Sequence, residues 1–111
     1  MTLYERIEAI QGHLATEALT PAIARQSLVQ LTALLGNVNQ EQRHADHEYK
    51  LVLLGCMAGG EPANRARIRA EVTEQYQEAR KWADTGKLVL TTIQSLKQYM
   101  RSLDSEMSMS R

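Results

Sequence analysis

The sequence predicts an all-α fold, in which a short N-terminal helix is followed by a long antiparallel coiled-coil helical hairpin. Apolar residues recur at alternating spacings of three and four over most of the chain, which is the period of packed helices. Glycine and proline are few and clustered, as expected for long helices. We therefore expect a single helical domain over residues 1–111, with helices at about 2–15, 21–58 and 62–108.

The first helix is predicted from a capping signal and a short apolar stripe. Thr2 and Glu5 have the spacing of a capping box, in which the threonine accepts from an early amide and the glutamate reaches back. The stripe behind them consists of Leu3, Ile7, Ile10 and Leu14. We expect this helix to cover the open end of the hairpin together with Leu34 and Leu90.

The second helix is predicted to begin at Thr20 and Pro21, which suit the N-cap and the first helical position. Its seam is the series Ala24, Leu28, Leu31, Leu35, Val38, Gln42, Ala45, Tyr49, Val52 and Cys56. Residues 59–62, Gly-Gly-Glu-Pro, predict the turn into the third helix.

The third helix continues the same period without a slip. Its predicted seam is Ile68, Val72, Gln75, Ala79, Trp82, Gly86, Val89, Ile93, Leu96, Met100, Leu103 and Met107. If the Gly-Gly turn is the point of reversal, facing positions sum to about 121, which pairs Tyr49 with Val72 and Val38 with Trp82. The same register places Gly36 almost opposite Gly86, which indicates either a close backbone approach or a shared kink.

Composition limits the possible functions. Thirteen basic side chains balance thirteen acidic ones, so no net field favours nucleic acid or membrane. The single Cys56 permits no internal disulfide, and the run 51–54 is far short of the roughly 20 apolar residues that span a bilayer. With no signal peptide visible, we expect a cytoplasmic protein.

The residues that carry chemistry in other proteins form no recognisable site here. His44 and His47 are three residues apart on the predicted outer face, without a third ligand, and they depart from the HExxH spacing of zinc proteases. Cys56 lies on the seam, about 18 Å along the helix from His44. We predict solvated histidines and a packed cysteine, hence no catalytic, cofactor-binding or metal-binding residue, no cofactor and no enzyme.

Two sets of residues remain as candidates for binding. The first consists of apolar residues that a two-helix hairpin leaves exposed: Leu51, Leu53, Leu54 and Leu88. Exposed apolar patches are typical of protein contacts. The second set could contact phosphates: Arg65, Arg67, Arg69, Arg80 and Lys81. Glutamates at 71, 74 and 78 interrupt this stripe, so a solvated face of mixed charge is favoured over a nucleic-acid surface.

The C-terminal helix resembles a known group of proteins. The resemblance rests on residues 74–110, which include Tyr76, Ala79, Trp82, Ala83, Leu88, the run 93–97 (IQSLK) and the run 101–107 (RSLDSEM). These residues resemble the C-terminal helix of small helical proteins of tailed bacteriophages and prophages, many of them encoded near early recombination and replication genes.

The resemblance implies a phage accessory role and transfers no functional residue. We expect a non-enzymatic helical protein-interaction module that forms a homo-oligomer and binds a protein partner, with inhibition of a host nuclease or defence complex as its role. The alternative is a DNA-associated recombination or replication accessory protein.

Overall fold

The computed structural model describes residues 1–109, which form four α-helices. They are α1 (Leu3–Thr16), α2 (Pro21–Met57), α3 (Ala63–Glu71) and α4 (Glu74–Met109). No strand occurs among the described residues, and α2 packs closely with α4. The predicted all-α fold with a helical hairpin is therefore confirmed.

The described chain forms two compact units. The terminal unit comprises Met1–Asn37 and the chain from Lys87 onward, and the central unit comprises Val38–Gly86. Both α2 and α4 contribute residues to each unit. The expectation of one domain stays a prediction.

In the terminal unit, both N-terminal helices begin at threonine caps. Thr2 accepts a hydrogen bond from the Glu5 amide at 3.1 Å, and its hydroxyl donates to the Glu5 carboxylate at 3.0 Å. Thr20 accepts from the Ile23 amide at 3.2 Å, and Pro21 is the first residue of α2. Each cap satisfies an amide that the helix leaves without a partner.

The terminal unit has an aliphatic core that α1 helps to close. Ile7 of α1 is buried, and Gln11 donates to the Thr92 hydroxyl of α4 at 2.9 Å. The other buried residues of this unit are Ala24, Ser27, Leu31, Val89, Ile93 and Leu96. Leu34 is half-buried and Leu90 remains 46% exposed, so α1 covers only the first of the two leucines that it was expected to cover.

In the central unit, α2 and α4 run antiparallel, in a register one turn away from the predicted one. The Tyr49 ring lies 5.3 Å from that of Tyr76, between ring centroids, whereas the prediction paired Tyr49 with Val72. A Cβ at Gly86 would lie 3.7 Å from Val38, which was assigned to Trp82. Both differences are four residues, which is about one helical turn along α4.

The helix predicted over residues 62–108 is interrupted, and this corrects the expectation of one continuous third helix. The Thr73 hydroxyl donates to the carbonyl of Ala70 at 2.6 Å and accepts from the Tyr76 amide at 3.3 Å, so Thr73 ends one helix and caps the next. Such local bonds compete with the helical ladder. The interruption changes the rotational phase of α3 relative to α4.

The change of phase also changes which face of α3 is buried. Ile68 and Val72, which were assigned to the seam, are 67% and 80% exposed. Ala66 and Ala70 are fully buried instead. The core of the central unit therefore consists mainly of small side chains around one indole: Val38, Ala45, Ala66, Ala70, Ala79, Trp82 and Thr85.

The two mid-helix glycines have different surroundings. A Cβ built on Gly86 would lie 3.1 Å from the Gln42 side-chain oxygen, so α2 packs closely against the α4 backbone there. A Cβ on Gly36 would meet nothing within 4 Å. Gly86 therefore lies close to side chains of α2, whereas the open space beside Gly36 shows no close approach at that glycine.

Candidate protein-interaction surfaces

The outer face of α2 in the central unit carries two exposed leucines. Leu51 is 50% exposed and Leu54 is 62% exposed. They are three residues apart, so they are neighbours on one helix face, which we call the Leu51–Leu54 face. Leu51 and Leu54 follow the buried Ala45 by six and nine positions, which places them roughly on the opposite side of the helix. The Leu51–Leu54 face therefore points away from the core.

The other two leucines predicted as contacts are placed differently. Leu53 is half-buried, so it contributes less free surface than its neighbours. Leu88 is 51% exposed but belongs to the terminal unit. The four leucines therefore do not all belong to one unit.

Sequence reasoning missed a second exposed apolar pair, Ile68 on α3 and Val72 directly after the end of α3. Their spacing of four places them on one face, opposite the buried Ala66 and Ala70. The alternating spacing of three and four residues was counted through the interruption at Thr73. Both residues were therefore predicted to lie in the core.

An open groove of about 430 Å³ lies between α2 and α4 in the central unit. From α2 it is lined by Glu41, His44, Ala45 and Glu48. From α4 it is lined by Glu74, Gln75, Glu78 and Trp82. We call it the acidic groove, because it has four carboxylates and no lysine or arginine in its lining.

Trp82 forms the floor of the acidic groove and is only 7% exposed. Its indole N–H donates to the Glu78 carboxylate at 3.3 Å. The Lys81 ammonium lies 5.3 Å from the centroid of the indole and 3.9 Å from the Glu78 carboxylate. One carboxylate and one aromatic face thus already accept a cation from their own chain.

The sequence carried a signal for this groove that the search for motifs did not use. Glu41, His44 and Glu48 are spaced by three and four, so they share one face of α2, and Glu74 and Glu78 share one face of α4. Only the register of the two helices brings these faces together.

The five predicted nucleic-acid candidates do not form a single stripe. Arg65 and Arg67 are two positions apart, so their side chains leave α3 in nearly opposite directions. Arg69 forms an ion pair with Glu61, and Lys81 is engaged with Glu78. Arg80 is exposed on α4.

The ionisation of Tyr49 is perturbed by its surroundings in the central unit. Partial burial raises the pKa of the phenol above its usual value of 10.0, and the carboxylate of Glu71 and the phenol of Tyr76 raise the pKa further. Arg67 opposes this shift. The phenol therefore stays protonated and packed on Tyr76 at neutral pH.

The two histidines and the cysteine have different surroundings. His44 and His47 are exposed, and only His44 lines the acidic groove. Among residues 1–109, no three histidine, cysteine or acidic side chains are grouped closely enough to hold a metal ion. Cys56 is a half-buried free thiol.

A second, more apolar groove of about 360 Å³ lies between α1 and α2 in the terminal unit. Its lining includes Ala9 and Ile10 of α1, and Ala33 and Leu34 of α2.

Within the described part of the chain, no helix is both long enough and apolar enough to cross a membrane.

The chain matches no protein-family model, no curated protein and no solved structure at a significant level.

Proposed function

We propose that this chain is a non-enzymatic protein-interaction module of phage or prophage origin that binds a protein partner in the host cytoplasm. The observation that carries the proposal is the exposure of Leu51 and Leu54 on one helix face. Large aliphatic side chains that remain half in water on a rigid helix are typical of partner contacts.

Burial of the Leu51–Leu54 face would contribute measurably to the free energy of binding. Full burial of a leucine contributes about 1.5–3 kcal/mol, and each of these two has about half of its surface still exposed. Covering both would contribute roughly 2 kcal/mol, which corresponds to about a 30-fold gain in affinity. The long α2 holds the pair in a fixed geometry, which reduces the entropy lost on binding.

The test is a charge substitution on this face with a matched control. Leu51→Glu combined with Leu54→Glu is expected to keep the helical circular dichroism and to lose assembly or partner capture. Val29→Glu combined with Leu90→Glu is the control, because both residues are exposed, lie in the terminal unit and change the net charge equally. Unchanged solution mass and binding in the first variant would refute the Leu51–Leu54 contact.

The proposed role is to block a host nuclease or defence complex. Expression of the wild-type chain in bacteria that carry a nuclease-based defence is expected to raise the plating efficiency of a restricted phage. The Leu51→Glu and Leu54→Glu variant is expected to lose this effect, while the Val29→Glu and Leu90→Glu variant keeps it. Equal plating for all three would argue against the inhibitory role.

The alternative function is a DNA-associated recombination or replication accessory. Its support is the exposure of Arg65, Arg67 and Arg80. It predicts binding to duplex or single-stranded DNA that weakens steeply as salt is raised. No mobility shift at low salt would remove it.

A further inference from the structure

The apolar groove between α1 and α2 is one part of a longer furrow in the terminal unit. A second cavity, of about 320 Å³, adjoins it and shares Ala9, Ile10 and Gln30 with its lining. Together the two cavities follow α2 from Ile23 to Leu34, which is about 16 Å along the helix axis. We call this feature the α1–α2 furrow, and its length suits about ten residues of a helix.

The lining of the α1–α2 furrow is mainly apolar and carries positive charge. Ile10, Ile23 and Leu34 line it and are only half-buried. Its described lining residues include Arg6 and His13 and no aspartate or glutamate. Arg6 forms no ion pair within residues 1–109. A helix with an apolar stripe flanked by carboxylates would therefore complement the furrow in polarity and in charge.

The last part of α4 is a helical segment that the rest of the described chain leaves largely uncovered. The Tyr99 hydroxyl donates to the carbonyl of Leu19 at 3.4 Å, so α4 reaches the connection between α1 and α2 at this point. Residues 100–109 continue beyond that contact, and no described residue after Leu96 is buried. We call residues 100–109 the α4 end.

The α4 end has the apolar pattern and the length that the furrow requires. Met100, Leu103 and Met107 are spaced by three and four, so they form one stripe on the helix. Met100 and Leu103 are half-buried, and Met107 is 61% exposed. Ten helical residues span about 15 Å, which matches the length of the α1–α2 furrow.

The charges of the α4 end are opposite to those of the furrow. Asp104 directly follows one residue of the stripe and Glu106 directly precedes another, so the two carboxylates lie on either side of it. With two acidic residues against one basic residue, Arg101, the α4 end has a net charge of −1. Attraction between its carboxylates and Arg6 would favour docking in the furrow over other apolar surfaces.

We propose that the α1–α2 furrow of one copy binds the α4 end of a second copy. The stripe of the α4 end packs on the apolar walls, as an amphipathic helix does in a hydrophobic groove, and its carboxylates lie near the cationic residues of the lining. In a closed dimer, each copy supplies one furrow and one α4 end. This inference goes beyond the proposed function, because it assigns a different surface and names a second copy as its occupant.

The first experiment measures the dissociation constant of self-association by sedimentation velocity. The wild-type chain is expected to self-associate, and Met107→Gln is expected to raise the dissociation constant roughly fivefold or more by removing apolar burial. Met109→Gln is the matched control, because Met109 is 88% exposed and lies on the opposite side of α4 from the stripe. Equal dissociation constants for the two variants would overturn the proposal.

A second pair of variants tests the furrow itself. Ala9→Gln with Ala33→Gln places longer uncharged side chains at two exposed positions of the lining, and is expected to abolish self-association while the circular dichroism stays unchanged. Ala15→Gln with Ala22→Gln is the control, since both residues are exposed on the same two helices and lie outside the lining. Wild-type association of the furrow variant would overturn the proposal.

An exchange of charges tests the pairing between copies. Arg6→Glu and Asp104→Arg are each expected to weaken self-association, and a 1:1 mixture of the two chains is expected to restore it, because each furrow then meets an α4 end of opposite charge. Arg25→Glu is the control for net charge, since Arg25 is exposed on α2 outside the lining. Equal restoration when Arg25→Glu replaces Arg6→Glu in the mixture would overturn the proposal.

The same measurement separates this contact from the Leu51–Leu54 face. Leu51→Glu with Leu54→Glu is expected to leave the weakening caused by Met107→Gln intact. If Met107→Gln has no effect in that background, self-association depends on the leucine face and the furrow contact is overturned. A wild-type chain that stays monomeric at about 1 mM would also overturn it, whereas partner binding through the Leu51–Leu54 face would be unaffected.

Discussion

Replacing each mid-helix glycine by alanine tests the packing described for α2 and α4. Glycine inside a helix is about 1 kcal/mol less favourable than alanine. Gly36 lies within α2, and a Cβ there would meet nothing within 4 Å, so Gly36→Ala should recover the whole difference. For a chain of this size, about 1 kcal/mol corresponds to a rise in Tm of about 4 °C.

The same substitution at Gly86 should stabilise less. Its Cβ would lie 3.1 Å from the Gln42 side-chain oxygen and 3.7 Å from Val38. The amide end of Gln42 must move by a few tenths of an ångström, so most of the helical gain should be lost and Tm should change by about 2 °C or less. Gly86→Ala combined with Gln42→Ala should regain that loss, relative to Gln42→Ala alone.

Thermal unfolding followed by circular dichroism measures these differences directly. The double-mutant cycle of Gly86→Ala and Gln42→Ala isolates the contact between the two positions. If Gly86→Ala raised Tm as much as Gly36→Ala does, the close approach at Gly86 would be refuted. If Gly36→Ala lowered Tm, the open space beside Gly36 would be refuted.

Three further predictions concern the core, a helix cap and alkaline pH. Val89→Asp should unfold the terminal unit or cost several kcal/mol in chemical denaturation, because Val89 is fully buried. Leu88→Asp, at a half-exposed position, should cost less than about 1 kcal/mol, and equal costs for the two variants would contradict the packing. Thr73→Ala should cost about 1 kcal/mol by removing the cap of α4, and Thr73→Ser should retain most of it in the same assay. The pKa of Tyr49 is raised in the folded state, so the neutral phenol contributes stability that is complete below pH 10.0. This contribution is lost as the pH rises from 10.0 towards the higher folded-state pKa, since the unfolded phenol ionises first. Tyr49→Phe should therefore lose less stability than wild type in alkaline titrations of unfolding, and parallel curves would contradict the shift.

The sequence predicted the parts of the fold that depend on local chemistry. The threonines at positions 2 and 20 carry their own capping oxygens, so the starts of α1 and α2 could be read from the residues alone. The spacing of apolar residues identified the buried faces of α2 and most of α4, because that spacing reflects the 3.6-residue turn. Exposure of Leu51 and Leu54 followed from their places outside that spacing.

The candidate site was less accessible to sequence reasoning. The leucine face could be proposed from single residues, whereas the acidic groove needs Glu48 of α2 and Glu78 of α4 to lie on facing helices in one particular register. The exposed Ile68 and Val72 were hidden for a related reason, since the phase of α3 could not be inferred by counting through the interruption at Thr73.

By itself, the sequence determined that this protein is helical, where α1 and α2 begin, and which stripes of α2 and the later part of α4 are apolar. Only the tertiary structure decided the axial register of Tyr49 on Tyr76, the burial of Ala66 and Ala70 in place of larger neighbours, and the groove floored by Trp82. The physical reason is the periodicity of the helix. Sliding one helix by a full turn presents nearly the same apolar stripe, so periodicity identifies the face that packs while contacts between helices select the offset.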